Sequence, residues 1–274
     1  MNHKLYIPSF REFLSPSSLY ETAINLIYDN RCAVCKIVVV RDALICRSCN
    51  PAFTLLPHAL LATQPYCNLC GESILSELSS SCENCSLYPL PMRYTRSIWE
   101  YTDTAESLIC AFKYGHSRSL GDILAHTALA AIQSGIYPPD ARYNWNLVLP
   151  LPSMLSSLKQ RGFSPVGEIV KRTSRKLKLP FALLALETCG NHPAQASLSP
   201  TERLRHIKKK YRASAKQIAG KKILLIDDVI TSGASAIGAT ISLLEAGATT
   251  VDLLSLCRSN LFAQLRGELW RKTK

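Results

Sequence analysis

One stretch, Gly220 to Ser235, reads Gly-Lys-Lys-Ile-Leu-Leu-Ile-Asp-Asp-Val-Ile-Thr-Ser-Gly-Ala-Ser and restricts the architectures open to this chain. Ile223 to Ile226 form a short continuous apolar run, the pattern of a strand buried on both faces in the middle of a parallel sheet. The run stops on Asp227 and Asp228. After Val229 and Ile230 comes a small-residue loop, Thr231-Ser232-Gly233-Ala234-Ser235, leading into a helical segment from Ala236 to Glu245. Such a loop directs backbone N–H groups and hydroxyls into one small volume at a helix N-terminus, which is a cradle for phosphate. Carboxylates beside a phosphate repel it unless they bind the hydroxyls of a sugar, or a hydrated Mg²⁺, attached to that phosphate. A ribose 5-phosphate meets both demands. The Gly-Lys-Ser/Thr ending of a Walker loop is absent.

Cysteine usage defines a second region. The chain has 11 cysteines, and eight of them form Cys32-x-x-Cys35, Cys46-x-x-Cys49, Cys67-x-x-Cys70 and Cys82-x-x-Cys85. Each turn brings two thiolates within reach of one ion, and two turns complete a tetrahedral Zn²⁺ site. Four turns make two sites. Sequential pairing gives tandem zinc ribbons, and cross-braced pairing of the first turn with the third is the other arrangement. Segments this short build no core of their own, so metal binding supplies most of their folding energy. Four thiolates leave no open position for catalysis, which makes both sites structural. A dithiol redox role suits one Cys-x-x-Cys and strains for four.

A chain of 274 residues holds one large domain or a main domain with a smaller module. No apolar stretch is long enough to span a bilayer, and Met1-Asn2-His3-Lys4 lacks the apolar core of a signal peptide. The expectation is a cytoplasmic protein with no membrane insertion. The formal charge of +12 is unevenly placed: residues 150 to 219 carry 14 Lys or Arg against 3 Asp or Glu, an excess of +11. Such a stretch calls for an anionic partner.

In chain order, residues 1–29 are expected to be an N-terminal helical segment, 30–88 a double zinc ribbon, and 92–265 the larger domain. Tyr94 to Tyr101 alternates as a strand does, and Asp103 is placed to cap a helix through Phe112 that ends at Gly115. Leu120 to Gln133 has the apolar spacing of a core-facing helix. His116 and His126 read as surface or satisfied core residues. Leu147-Val148-Leu149 is a short strand, the basic loop Lys159-Gln160-Arg161-Gly162-Phe163 follows, and Ser164 or Pro165 opens a helix through Leu177. Alternating strands and helices predict a parallel α/β sheet with ligands at the carboxyl ends of its strands. That places the loops of Arg161 and Asp227 on one edge. The densest charge run, Glu202 to Lys210, reads either as a solvated helix or mobile hood, or as a clamp on pyrophosphate or nucleic acid.

The strand, the paired acids and Thr-Ser-Gly-Ala-Ser together resemble the signature of type I phosphoribosyltransferases. Leu149-Pro150-Leu151-Pro152, Arg161-Gly162-Phe163, Gln195 with Glu202-Arg203, and Ile223 to Ser235 are similar to successive landmarks of the ComF family. That family joins a double zinc ribbon to a phosphoribosyltransferase domain and is associated with natural competence, the uptake of transforming DNA. The resemblance spans residues 25 to 260, with Phe112-Lys113-Tyr114-Gly115 and Leu253 to Arg258 as further landmarks. It implies that Thr231, Ser232, Gly233, Ala234 and Ser235 hold a 5-phosphate, that Asp227 and Asp228 face ribose hydroxyls, and that Arg161, Lys113 and Arg203 meet pyrophosphate. Phosphoribosyl pyrophosphate with Mg²⁺ is the implied ligand, and pentosyl transfer the reaction if the protein turns over, with Asp227, Asp228 and Arg161 as its catalytic set. The departures lie on the pyrophosphate side: Ser156 and Ser157 stand where the family has arginine, Ser164-Pro165 replace Asn-Gln, and His206 replaces an asparagine. Thinner positive charge there weakens stabilisation of a leaving pyrophosphate. The other reading is a non-catalytic module for single-stranded DNA or a competence protein, with Phe163, Tyr211 and Tyr143 as aromatics on which bases could stack. In a third, the zinc module is the docking platform and the larger domain a ligand sensor.

Overall fold

A computed structural model of the chain describes residues 31–39, 45–50, 66–74, 80–87, 89–115, 118–154, 158–159, 161–189 and 210–259. In chain order the elements are α1 (Glu83–Leu87), β1 (Thr95–Glu100), α2 (Asp103–Tyr114), α3 (Arg118–Ser134), β2 (Leu147–Pro150), α4 (Pro165–Leu177), β3 (Leu186–Thr188), β4 (Tyr211–Ala213), α5 (Ala215–Ile218), β5 (Lys222–Ile230), α6 (Ala234–Glu245) and β6 (Thr250–Arg258). The expected N-terminal helical segment and most of the charge run before Lys210, including Arg203, lie outside the described residues, as do His116 and His206.

Ile223, Leu224, Leu225 and Ile226 are all fully buried, which accounts for the central place of β5. Side chains alternate across a strand. Leu224 and Ile226 accordingly enter a core shared with α2, α3 and α4, while Ile223 and Leu225 enter a second core beneath α6. Each buried aliphatic of this kind contributes about 1.5–3 kcal/mol. The sheet has the order β1-β6-β5-β2 and every pairing in it is parallel, the helix-flanked α/β architecture expected.

Local signals explain the helices. Ser164 caps α4 by accepting a hydrogen bond from Gly167 N–H at 3.1 Å, and Pro165 takes the first turn, where no N–H is needed. The α2 helix stops at Gly115 as expected, but its N-cap is Thr102, and Asp103 is its first residue. The largest departure concerns β5. The strand does not end at the two acids: it continues through Val229 and Ile230, because β6 runs alongside and pairs Asp227 with Ser255, Val229 with Cys257 and Ile230 with Arg258. The helix after the loop begins at Ala234, two residues before the expected start. A separate antiparallel pair, β3 with β4, went unread because each strand has only three residues.

Candidate functional site

The C-terminal ends of β2 and β5 open into one cleft of about 270 Å³, lined by Leu151 to Met154, Arg161, Lys113, Lys210, Tyr211 and the run from Asp227 to Ala236. That is just below the usual range for ligand pockets, roughly 300–1,000 Å³. The loops of Arg161 and Asp227 thus share an edge. Thr231 to Gly233 make the turn, and Gly233 takes a left-handed conformation (φ 76°) as the N-cap of α6. A side chain there would be strained, whereas glycine enters this region freely. Ser232 Oγ accepts from Ala234 N–H at 3.4 Å. The first amides of α6 have no helical acceptor, and the positive end of the helix dipole lies at this edge of the cleft.

Alternation along β5 sends its two acids to different neighbours. Asp228, buried, is held by Lys113 at the end of α2, whose Nζ lies 2.9 Å from its carboxylate. Asp227, half-buried, accepts from the Asp228 backbone N–H at 2.8 Å and lies in the field of Lys210. Burial, reinforced by the adjacent Asp228 charge, pushes the Asp227 carboxyl well above the usual carboxylate range, against the opposing pull of Lys113 and Lys210. Burial likewise pushes the Lys210 ammonium down, with Asp227 opposing.

Arg161 reaches the cleft with its guanidinium 5.4 Å over the Tyr114 ring, and its Nε is buried with no hydrogen-bond partner among the described residues. In sequence Lys210 is the end of the charge run from Glu202, read as a solvated segment or a clamp on pyrophosphate or nucleic acid, and nothing singles it out from the two lysines before it. Its only cue is its position before Tyr211, whose ring β4 buries against α6. Two of the other cations in the basic stretch are already committed. Lys171 and Arg172 pair with Glu168 at 2.8 and 2.6 Å, and Arg172 also reaches Asp122 at 2.7 Å. His126 is a satisfied residue: its ring nitrogens meet Asp122 O at 3.1 Å and Lys176 Nζ at 2.7 Å, and burial holds its pKa down.

The cysteine turns pair sequentially, which resolves the choice left open by the sequence: Cys32, Cys35, Cys46 and Cys49 form one group, and Cys67, Cys70, Cys82 and Cys85 the other. Within each, all thiol sulfurs lie within 4.8 Å of one another. Cys35 and Cys46 Sγ are 3.7 Å apart, and Cys70 and Cys82 Sγ 3.6 Å. A tetrahedral site with Zn–S bonds of about 2.3 Å has S···S edges of about 3.8 Å, so both groups fit Zn²⁺. Cys46 and Cys49 backbone N–H groups donate to Cys32 and Cys46 Sγ, both at 3.3 Å, as thiolate ligands require.

No family model matches the chain. Curated relatives nevertheless cover most of it. "Competence protein ComFC" of Bacillus subtilis is 25% identical over 225 residues, 80% of this chain and 85% of that protein. The protein of the same name in Streptococcus pneumoniae is 27% identical over 79% of this chain and 89% of its own length. "DNA utilization protein YhgH" of Shigella flexneri is 24% identical over 72% and 87%. Solved structures with partial overlap include the B. subtilis glutamine phosphoribosylpyrophosphate amidotransferase (17% identity, TM-score 0.37, 53% of this chain and 30% of that one). An adenine phosphoribosyltransferase overlaps similarly (14% identity, TM-score 0.38, 56% and 78%). The likeness to ComF proteins read from the motifs is borne out over 79 to 80% of the chain by these sequence relatives. Among the described residues no helix is long and apolar enough to cross a membrane.

Proposed function

We propose that this ComF-like chain binds phosphoribosyl pyrophosphate, or another ribose 5-phosphate, in the cleft at the end of β5, and that it serves DNA uptake. The carrying observation is that a glycine-capped helix N-terminus and two adjacent acids open into the same small cleft. An anion cradle beside carboxylates is self-defeating for a bare anion and complementary to a sugar phosphate. In this reading the amides and hydroxyls of Thr231 to Ser235 hold the 5-phosphate, and Asp227 and Asp228 accept hydrogen bonds from ribose hydroxyls. Arg161, with an unmet buried donor, takes the pyrophosphate end. The carboxylate oxygens suit Mg²⁺ as hard donors, and the ion supplies charge neutralisation between pyrophosphate and ribose. Where turnover occurs, the C1–O bond to pyrophosphate breaks with its electron pair leaving on oxygen, and a nucleophile bonds to C1.

Isothermal titration of zinc-loaded protein with phosphoribosyl pyrophosphate and Mg²⁺ tests the reading. Binding is expected, and is lost in Asp227→Asn plus Asp228→Asn. A folded wild type that shows no heat of binding overturns it. Released pyrophosphate, assayed across nitrogen nucleophiles, tests turnover, and complementation of transformation by the double variant tests the link to DNA uptake. The alternative of bases stacking on aromatics is narrowed by the fold: Tyr211 is buried and Phe163 packs edge-on to Phe112 at 6.2 Å, leaving Tyr143 exposed.

A further inference from the structure

Two lysines reach the cleft from different elements, and their charges are spent differently. Lys113 lies 2.9 Å from Asp228 and is neutralised there. Lys210 has no carboxylate within ion-pair distance among the described residues. Its contacts are Ser235 Oγ at 3.4 Å and the face of the Tyr211 ring at 5.5 Å. Ser235 stands in the first turn of α6, beside the amides that would receive a phosphate.

Lys210 is also held in place, unlike a surface lysine. Cys189 N–H donates to its carbonyl at 2.7 Å, continuing the β3–β4 pairing. The next residue, Tyr211, is buried in the core under α6, and its carbonyl accepts from Ser242 Oγ of that helix at 3.0 Å. The helix that forms the cradle therefore also positions the lysine, and little ordering remains to be done when an anion arrives.

We propose that Lys210 is the side-chain cation of the phosphate end of this cleft, donating from Nζ to the phosphate of a sugar phosphate monoester while Ser235 donates from Oγ. The proposal rests on the ribose-phosphate reading above and adds to it the residue that supplies the charge. Half-burial of the ammonium strengthens such a contact, since charge-assisted hydrogen bonds gain where water is scarce. The cradle then has two independent ends: Lys210 at the monophosphate, Arg161 at whatever extends beyond the sugar.

Ribose 5-phosphate, which lacks the pyrophosphate, is the probe. Zinc-loaded wild type, Lys210→Gln and Lys210→Arg are titrated with it in parallel with phosphoribosyl pyrophosphate plus Mg²⁺, and each protein is melted without ligand. The expected result is a loss of affinity for ribose 5-phosphate of about tenfold or more in Lys210→Gln, retention within about threefold in Lys210→Arg, and unchanged melting of the free proteins. Equal affinity in wild type and Lys210→Gln overturns the proposal and leaves the ribose-phosphate reading standing. So does a wild type that binds phosphoribosyl pyrophosphate but not ribose 5-phosphate. Weakening in both variants together with lowered melting assigns Lys210 a structural role and overturns the proposal. A wild type that binds neither ligand overturns both.

Discussion

The two four-cysteine centres share a backbone and differ in their surroundings. In the first, Cys32 N–H donates to Ile37 O at 2.8 Å and Lys36 N–H to Cys32 O at 3.0 Å. In the second, Cys67 N–H donates to Glu72 O at 2.7 Å and Gly71 N–H to Cys67 O at 2.8 Å. Both turns place a left-handed residue after the second cysteine, Lys36 (φ 63°) and Gly71 (φ 72°). Beyond that the likeness ends. Cys67, Cys70 and Cys85 are buried in the core beneath α6, together with Leu225, Ile230 and Ala236. The first centre touches the opposite core through Ala33, leaves Cys35 exposed, and carries Ile37 and Val38 at its tip, 53% and 57% exposed.

Buried arginines account for the difference. Arg96 of β1 is 1% exposed and donates to Asn68 O at 2.7 Å, Leu69 O at 3.2 Å, Thr95 O at 2.9 Å and Ile136 O at 2.6 Å. The rings of Tyr66, Tyr94 and Tyr137 surround it at 5.8, 5.5 and 5.9 Å. Arg258, at the end of β6, donates to Cys70 O at 3.0 Å and lies 3.4 Å from Glu72, while its neighbour Ser259 donates from N–H to Ile230 O, one residue before the turn that leads into α6. The second knuckle is tied to the sheet because the arginines take up its carbonyls, whereas the first meets the core through Ala33, Val34 and Ile45 alone among the described residues.

The contrast is broken most directly by removing the ligands. Cys67→Ser plus Cys70→Ser should lower the melting temperature by about 10 °C or more, whereas Cys32→Ser plus Cys35→Ser should lower it by less than about 5 °C. Both should reduce bound zinc from two ions to one, measured by metal analysis of the purified protein. Equal shifts would mean the centres are energetically equivalent. Next in size, Arg96→Met strands the carbonyls of Asn68, Leu69 and Ile136 and should cost about 3–5 kcal/mol in urea unfolding of the zinc-loaded protein. A cost near zero would remove the arginine explanation. Arg258→Met should cost about 1–3 kcal/mol on the same scale and also speed zinc transfer from the second centre to a chromogenic chelator. The smallest test exchanges the left-handed residues. Gly71→Ala should destabilise by about 1–2 kcal/mol. Lys36→Gly should gain less than that, since it also gives up the hydrogen bond from Lys36 Nζ to Ala33 O at 2.7 Å.

What could be read from the sequence was local. The run Ile223 to Ile226, the small residues after it, the Ser164-Pro165 helix start and the four Cys-x-x-Cys turns each encode a backbone shape within a few residues, and the structure has each of them. The continuation of β5 through Asp227 and Asp228 was not legible, because it depends on β6 lying alongside up to Arg258. Nor was Lys210: a lysine among lysines acquires a place only when Tyr211 is buried against α6.

By itself the amino-acid sequence determined that this chain has a buried apolar strand carrying paired acids, a small-residue turn leading into a helix, and eight thiols spaced for two metal ions. Tertiary structure alone decided which turns pair, which centre is built into the sheet, and which cations face the cleft. Spacing and side-chain type set the conformation of a short segment. Partners far apart in the chain, such as Lys113 and Asp228 or Arg96 and Asn68, meet only where packing of the whole core brings them together.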